Sequence, residues 1–306
     1  MKKMLFVYNP RSGRGQIKNN LFDIVNVFTE GGYEVTTYPT LGKDDAYIKI
    51  CEQALDFDLV TVSGGDGTLS MAVKALMELD EKAPLGYIPS GSTNDVASSL
   101  NISKDMVQAA QDIVEGDFFE YDIGQFNDSY FVYIAAFGIF TDTAYETPQN
   151  LKNRLGHAAY IVEALRRINT YKGIELTIEH DGVTDSGNFI LGAVSNSRSV
   201  AGMKFFLKDK VFFNDGLFEV TLVRTPETAI ALQQTLNDAL MNRLNTNNFL
   251  SFKASKVEFK STEEVPWTLD GESGGSPTQV TVINRQKAVR LVIKGAEEEL
   301  PVIESE

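Results

Sequence analysis

The sequence is poor in the features that mark secreted and membrane-spanning proteins. Cys51 is its only cysteine, so an intrachain disulfide is excluded and a reducing compartment is expected. The longest run of apolar and aromatic residues, 130–140, has about half the length that a membrane-spanning helix needs. Lys2 and Lys3 precede an apolar stretch that is too short for a signal peptide, so the protein is expected to be cytoplasmic.

Positive charge is also scarce. Among 306 residues, 28 are Lys or Arg and 42 are Asp or Glu, which gives a formal net charge of −14. Binding to nucleic acid or general attraction to anionic membranes requires a basic surface, so the composition disfavours both. The hydrophobic fraction of 43% is ordinary for a folded, soluble protein. The length favours two domains, because one core seldom grows beyond about 250 residues.

Metal-binding histidines and two well-known nucleotide motifs are missing as well. His157 and His180, the only histidines, have neither the spacing nor the partners of metal ligands, so neither is assigned a role. No Gly-x-x-x-x-Gly-Lys-Ser/Thr sequence is present, which excludes a P-loop NTPase. The first glycine-containing loop lacks the dinucleotide fingerprint, because Lys18 stands where its third glycine is required.

Strand and helix patterns alternate through about the first 125 residues. The short apolar runs 4–8, 59–62 and 85–88 predict strands, and 34–38 is predicted to be a further strand. Apolar residues at helical spacing predict the helices that join them. This alternation is typical of an α/β fold with a parallel, doubly wound sheet, in which ligands bind beyond the carboxyl ends of the strands.

The junction after the third predicted strand is the most informative of three loops that leave those ends, at 9–15, 64–68 and 90–95. Its sequence, Gly64-Gly65-Asp66-Gly67-Thr68, lets the backbone turn sharply, and the amides that open the next helix suit a phosphate. Asp66 does not fit a pure anion site, but a carboxylate beside phosphates is expected where a divalent cation lies between them. Taken alone, the loop is also consistent with a tight turn in which Asp66 is a local cap.

The sequence pattern changes near Tyr121. Alternating segments separated by Asn-Asp, Asp-Gly and Gly-Gly turns then dominate, which predicts an antiparallel β domain. Helices are predicted at 152–170 and 227–242, and 288–293 is predicted to be the final strand. The other predicted strands of this half are 130–134, 174–179, 218–222, 257–259 and 280–283.

Six motifs follow one another along the chain: Asn9-Pro10-Arg11-Ser12-Gly13, Gly64-Gly65-Asp66-Gly67-Thr68, Gly91-Ser92-Thr93-Asn94-Asp95-Val96-Ala97, Tyr121-Asp122-Ile123-Gly124, Asn214-Asp215-Gly216-Leu217-Phe218 and Leu269-Asp270-Gly271-Glu272. In this order they resemble the bacterial diacylglycerol kinase and related lipid kinase family, and they cover nearly the whole chain. The resemblance implies an N-terminal, doubly wound ATP-binding domain at 1–124, to which 286–306 returns. It also implies a C-terminal antiparallel β-sandwich domain for the lipid substrate at 125–285.

The resemblance further implies the roles of individual residues. Glu272 matches the family's general base, with Asp270 beside it, and Asp66 would act in catalysis through a magnesium ion. Taken alone, Asp270-Gly271 would be an ordinary hairpin turn. The residues implied to surround ATP are Asn9, Pro10, Arg11, Ser12, Gly13, Thr40, Gly64, Gly65, Asp66, Gly67, Thr68, Ser92, Asn94 and Asp95.

A structural magnesium site is implied as well. Asp215 matches its carboxylate ligand, helped by the main-chain carbonyls of Phe212 and Leu217, and Asp122 would link this ion to the active site. A carboxylate and two carbonyls, completed by water, are reasonable ligands for a hard cation. Taken alone, residues 214–216 would be another turn.

The expected activity is therefore that of an ATP- and magnesium-dependent lipid kinase. Diacylglycerol is the expected acceptor, and a sphingoid base or phosphatidylglycerol is the alternative within the same chemistry. NAD kinase shares the Gly-Gly-Asp-Gly-Thr loop, but the other motifs fit lipid kinases better. A further alternative is a lipid- or nucleotide-binding regulator without turnover, against which four intact carboxylates argue: Asp66, Asp95, Asp270 and Glu272.

Two positions depart from the family pattern and leave the acceptor open. Ser98 and Val162 stand where similar kinases often carry basic residues. Residues 150–172 hold five basic side chains and one acidic, a local net charge of +4, and with 203–208 they predict either a lipid-contacting face or an ordinary surface helix and buried strand. Transient contact with a lipid substrate at the membrane surface is expected, and a homodimer is left open.

Overall fold

The structure, a computed structural model, describes residues 1–139, 173–197, 211–240, 243 and 246–295. The chain divides into two compact units, one of Met1–Ile123 with Gln286–Glu306 and one of Gly124–Arg285. The predicted helix at 152–170, with Val162, and the segment 203–208 lie outside the described residues.

Strands and helices alternate as far as Glu115, and strands dominate after it. The first elements are β1 (Lys2–Tyr8), α1 (Ile17–Glu30), β2 (Tyr33–Pro39), α2 (Asp45–Gln53), β3 (Leu59–Gly64), α3 (Asp66–Met77), β4 (Leu85–Pro89), α4 (Asp95–Ser99) and α5 (Met106–Glu115). The others are β5 (Asp117–Phe126), β6 (Ser129–Phe131), β7 (Ile134–Gly138), β8 (Ile174–His180), β9 (Val183–Ser195), β10 (Phe218–Arg224), α6 (Ala229–Leu240), β11 (Phe249–Ala254), β12 (Lys256–Lys260), β13 (Trp267–Leu269), β14 (Glu272–Ser273) and β15 (Gln279–Ile293).

The first unit is built on a parallel sheet. Its strands lie in the order β2, β1, β3, β4 and the C-terminal part of β15, and each neighbouring pair is parallel. β3 and β4 are buried along their whole length, as short apolar runs in such sheets predict. α1 packs against α5, and α2 packs against α3. The predicted α/β class with a doubly wound N-terminal half is confirmed.

The strand register brings the carboxyl ends of four strands to one edge of this sheet. Tyr8 of β1 lies beside Pro39 of β2 and Ser63 of β3, and Gly64 lies beside Pro89 of β4. The chain therefore leaves these strands on the same side, and the three glycine-containing loops begin together. Ligands of parallel sheets bind at this edge.

The second unit is built from antiparallel strand pairs. β9 pairs with β8 along its first part and with β7 and β10 along its second. β12 lies between β8 and the first part of β15, β13 lies between β7 and β14, and β11 pairs with β10. The buried rings of Phe137 and Phe259 pack edge-on against Trp267, with centroids 4.8 and 5.2 Å away. These aromatic contacts form part of the core of the unit.

One predicted strand, 130–134, is interrupted in the structure. β6 ends at Phe131 and β7 begins at Ile134. The backbone amides of residues 132–134 donate instead to the carboxylate of Asp270. A side chain far along the sequence thus replaces a strand partner, and no local pattern predicts this.

Other predicted boundaries differ less. The predicted strands 280–283 and 288–293 are one strand, β15, because the polar residues between them include neither Gly nor Pro to end it. The helix predicted at 227–242 is present as α6.

Candidate active site

Glycines allow the loops at the carboxyl edge of the parallel sheet to touch backbone to backbone. Gly13 has a φ of +51°, and a Cβ placed on it would lie 1.9 Å from the carbonyl oxygen of Ser90. A Cβ on Gly91 would lie 2.5 Å from the Cα of Gly65. A larger residue at Gly13 or Gly91 would force these loops apart, so their close approach depends on glycine.

Asn9 fixes the first loop to the edge of the sheet. Its amide donates to the carbonyl of Ser63 at 2.8 Å, and its Oδ1 accepts from the amide of Arg11 at 2.9 Å. The second bond is the local side-chain turn that Asn favours. The amide of Thr40, a buried residue, donates to the carbonyl of Tyr8 at 2.9 Å. Thr40 therefore lies at the same edge as the first loop.

The second loop places Asp66 at the start of α3. The N-cap residue, Gly65, is extended and has no side chain to cover the first amides of the helix. The Oδ1 atom of Asp66 accepts a hydrogen bond from the amide of Val96 at 3.3 Å. This bond caps α4, which begins about 30 residues farther along the chain, so it is not the local cap that the loop sequence alone also allows.

Asn94 shapes the third loop from a left-handed conformation with φ of +53°. Its Oδ1 accepts from the amide of Gly91 at 2.9 Å, and its Nδ2 donates to the carbonyl of Gly91 at 2.9 Å. Asn tolerates this conformation better than most residues do. Ser92, between them in sequence, is exposed and therefore accessible to a ligand.

Tyr87 lies beneath the second and third loops, although no sequence pattern identifies it as a site residue. Its side chain is 3% exposed, and its hydroxyl lies 3.3 Å from the carbonyl oxygen of Gly64 and 3.4 Å from Oδ1 of Asn94. Burial, followed by the charges of Asp66 and Asp95, raises the pKa of Tyr87 well above its usual value. A tyrosine in an apolar strand is predicted to be core, so its polar contacts give no signal in sequence.

The carboxylates of Asp66 and Asp95 form the acidic part of this edge. Besides burial, the negative charges of both carboxylates raise the pKa of Tyr87. Asp95 is only 2% exposed. Carboxylate oxygens are ligands that magnesium prefers, so this donor set fits the predicted ion. Within the described residues, no group of three or more His, Cys, Asp or Glu side chains could hold a metal ion. Phosphate or water oxygens would have to complete the coordination shell.

Asp215 lies in the turn that precedes β10, where Gly216 has a φ of +81°. Its Oδ1 accepts from the amide of Leu217 at 3.0 Å, and the residue is exposed. Phe212, whose carbonyl is the other implied ligand, is 45% exposed. The exposure of Asp215 leaves its carboxylate accessible to an ion, which is compatible with its implied role as a magnesium ligand.

Glu219 is a buried acid near this turn that the sequence pattern does not identify. It is 8% exposed and forms an ion pair with Lys253 at 3.0 Å. Burial raises the pKa of Glu219 to about 7; the hydrogen bond and charge of Lys253 oppose this shift, and the charge of Asp215 adds to it. β10 is buried on both faces, so the alternation at 218–222 gives no indication that Glu219 is inside.

Asp270 and Glu272 flank a tight turn but have different surroundings. Asp270 and Gly271 have φ of +52° and +83°, as a two-residue hairpin turn requires. Glu272 opens β14 and is partly exposed, whereas Asp270 is 5% exposed. The carboxylate of Asp270 accepts from three amides, those of Val132 at 2.8 Å, Tyr133 at 3.0 Å and Ile134 at 3.2 Å. The carboxylate of Asp270 therefore fixes the backbone of residues 132–134. Glu272 is the more accessible of the two acids.

Asp122 is fully buried in the first unit. Its Oδ1 accepts from the amide of Lys287 at 2.7 Å, which joins β5 to β15. Its implied link to the structural ion stays a prediction.

The predicted site residues thus fall into two groups. Glu272, Asp270, Asp215, Phe212 and Leu217 belong to the second unit, and the implied nucleotide residues all belong to the first. Those at or beside the carboxyl edge of its sheet are Asn9, Pro10, Arg11, Ser12, Gly13, Thr40, Gly64, Gly65, Asp66, Gly67, Thr68, Ser92, Asn94 and Asp95.

Two family models match the chain. The diacylglycerol kinase catalytic domain matches residues 3–126, and the YegS C-terminal NAD kinase beta sandwich-like domain matches residues 137–293. The second match agrees with the antiparallel second unit, which is a β-sandwich as predicted.

Curated relatives are similar over most of their length. A diacylglycerol kinase of Bacillus subtilis is 34% identical over 90% of this chain and 91% of its own. One of Staphylococcus carnosus is 30% identical over 90% of each chain. A crystal structure of a diacylglycerol kinase from Bacillus anthracis, 21% identical, matches the fold with a TM-score of 0.76 over 96% of this chain and 98% of that one.

No helix among the described residues combines the length and the hydrophobicity needed to cross a membrane.

Replacing Asp270 by Asn should destabilise the second unit. The amide group would turn one acceptor into a donor facing backbone N–H groups, which costs about 2 kcal/mol of unfolding free energy. Thermal unfolding followed by circular dichroism should show a lower Tm. Asp128→Asn, at an exposed position of the same unit, is the matched control and should be neutral. An unchanged Tm for Asp270→Asn would contradict the structural role of this carboxylate.

Proposed function

The chain belongs to the diacylglycerol kinase family, and from this we propose that it transfers the γ-phosphoryl group of ATP to the hydroxyl of diacylglycerol in a magnesium-dependent reaction. The observation that carries the proposal is the convergence of three glycine-containing loops, with Asp66 among them, at the carboxyl edge of a parallel sheet. Such an edge presents backbone amides to phosphate groups.

The loops would bind the triphosphate through main-chain donors. Gly13, Gly65 and Gly91 permit close approach of the backbone, and α3 directs its first amides out of the second loop. Asn9 and Asn94 hold the first and third loops in shape through bonds to their own backbone. The protein's main task in phosphoryl transfer is to position the reacting groups and to stabilise charge, and rigid loops serve both purposes.

Asp66 and Asp95 would hold the catalytic magnesium. Their oxygens are suited to this hard ion, and their charges already act on the buried phenol of Tyr87. When bound, magnesium would offset the negative charge of the transferred phosphoryl group. The hydrogen bond from the amide of Val96 to Oδ1 of Asp66 would fix the orientation of this carboxylate toward the ion.

Glu272 is the proposed general base, which takes the proton from the lipid hydroxyl. It is partly exposed on a short strand, and its place after the Asp270-Gly271 turn is fixed by the hairpin. Asp270 is a poorer choice, because three backbone amides already bind its carboxylate. We assign Asp270 the task of holding the turn that carries Glu272.

Diacylglycerol is proposed as the acceptor because the curated relatives are named diacylglycerol kinases. A sphingoid base, phosphatidylglycerol and NAD are the other acceptors to be tested. Ser98, where similar kinases often carry a basic residue, is partly buried on α4 and offers no charge to a product phosphate.

Access to a lipid acceptor requires contact with a membrane. We propose that the protein is cytoplasmic and touches the membrane surface transiently, with no nucleic-acid partner. The net charge of −14 makes this contact depend on a local surface and not on overall attraction.

Transfer of radiolabelled phosphate from ATP tests the proposal directly. Wild-type protein should label diacylglycerol in mixed micelles with magnesium, and should label a sphingoid base, phosphatidylglycerol and NAD far less. Asp66→Asn should lower turnover by orders of magnitude, because the ion loses a charged ligand. Labelling of another acceptor would correct the substrate, and no transfer to any acceptor would refute the kinase activity.

Replacing Glu272 by Gln should lower kcat by about 10²- to 10⁴-fold, the usual contribution of a positioned general base. The ATP dissociation constant, measured by isothermal titration calorimetry, should stay nearly unchanged, because Gln keeps the shape of the side chain. Glu264→Gln, at an exposed position of the same unit, is the control. Weaker ATP binding with an unchanged kcat would place Glu272 in binding instead.

Magnesium should stabilise the wild-type protein if Asp215 holds a structural ion, because a ligand of the folded state raises Tm by mass action. Asp215→Ala should remove most of the magnesium-dependent rise in Tm, measured without nucleotide. Asp128→Ala should keep it. Equal stabilisation of wild type and Asp215→Ala would show that the ion does not bind at this turn.

A further inference from the structure

Tyr87 joins two loops whose strands are neighbours in the parallel sheet. Its hydroxyl reaches the carbonyl of Gly64 at the end of β3 and the side chain of Asn94 at the start of α4. The ring itself is buried in the first unit, where it borders a small apolar cavity with Leu69 and Val96. The ring of Tyr87 is therefore part of the apolar support of the loops, and its hydroxyl contacts their polar groups.

Neither of its two partners needs the phenol to satisfy its hydrogen bonding. The carbonyl of Gly64 accepts from the amide of Ser90 at 2.7 Å. Oδ1 of Asn94 accepts from the amide of Gly91 at 2.9 Å. Removing the Tyr87 hydroxyl would therefore leave no buried acceptor without a donor, and the fold should survive its loss.

What the phenol does provide is a link between the loops. Asn94 holds Gly91 by both its amide and its carbonyl, and Gly91 packs against the backbone of Gly65. The single hydroxyl hydrogen of Tyr87 is shared between Gly64 and Asn94 through long contacts of 3.3 and 3.4 Å, and this link limits how far the second and third loops can separate.

We propose that Tyr87 is a positioning residue that holds the second and third loops at the spacing that ATP phosphates require. This inference rests on the proposed function, because it takes these loops to be the phosphate-binding surface. Tyr87 touches no substrate in this scheme and acts through Gly64 and Asn94. Loss of its hydroxyl should weaken the binding of ATP in the ground state and in the transition state alike.

The test is Tyr87→Phe, which removes the hydroxyl and keeps the ring. The dissociation constant of ATP with magnesium, measured by isothermal titration calorimetry, should rise about fivefold, the effect of one hydrogen bond. The KM for ATP should rise equally, with kcat changed less than about twofold. Tyr33→Phe is the matched control, since Tyr33 lies at the opposite, amino-terminal edge of the same sheet. It should leave both constants unchanged.

A double-mutant cycle with Asn94→Ala tests the route of the effect. If Tyr87 acts through Asn94, most of the rise in the ATP dissociation constant caused by Tyr87→Phe should disappear in the Asn94→Ala background. An effect of the same size in both backgrounds would overturn this mechanism.

Three other outcomes would also overturn the proposal. They are an ATP dissociation constant equal to that of wild type, a lower kcat at unchanged KM, and a Tyr87→Phe protein that does not fold. Failure of the proposed function is distinguishable, because the main measurement is binding. A wild-type protein that binds ATP but phosphorylates no lipid would refute the lipid kinase activity while the comparison at Tyr87 still stands. A wild-type protein that does not bind ATP would refute both.

Discussion

Contact between backbones, without side chains between them, is the constraint on which the candidate site depends. Where Gly13 meets Ser90 and Gly91 meets Gly65, there is no room for a Cβ atom. The loops therefore form one continuous surface of peptide groups at the end of the sheet. Successive amides fixed in this way attract anions through their own dipoles, beside the basic side chain of Arg11 in the first loop. In the proposed function, these amides would let a protein with a net charge of −14 bind a nucleotide.

The architecture of the first unit could be predicted from sequence because its signals are local. A short apolar run, a pair of glycines and helical spacing of apolar residues are adjacent between Leu59 and Met77, and each predicts one element. The parallel direction of the strands follows from the repeated alternation of strand and helix. The positions of Gly64 and Gly91 at strand ends follow from the same patterns, so most of the implied nucleotide residues fall at one edge.

The remaining parts of the site could not be predicted because their partners are distant in sequence. Tyr87 lies on a strand whose pattern indicates only burial, and the alternation around Glu219 gives no indication that it is inside. The polar contacts of both side chains come from other elements. Asp270 is recognisable as a turn residue, but its bonds to 132–134 are not. Sequence patterns therefore give little indication of the residues that hold the loops and the Asp270-Gly271 turn in place.

The bonds of Asp270 also set an order of assembly. They join residues up to 138 positions apart, so the hairpin that carries Glu272 is completed by a long-range closure. Closing a loop of this length costs entropy that grows slowly with length, and its main effect is on the rate of folding. During synthesis, the three glycine-containing loops leave the ribosome well before Asp270 is added to the chain. The proposed proton acceptor is thus among the last groups of the molecule to reach its final place.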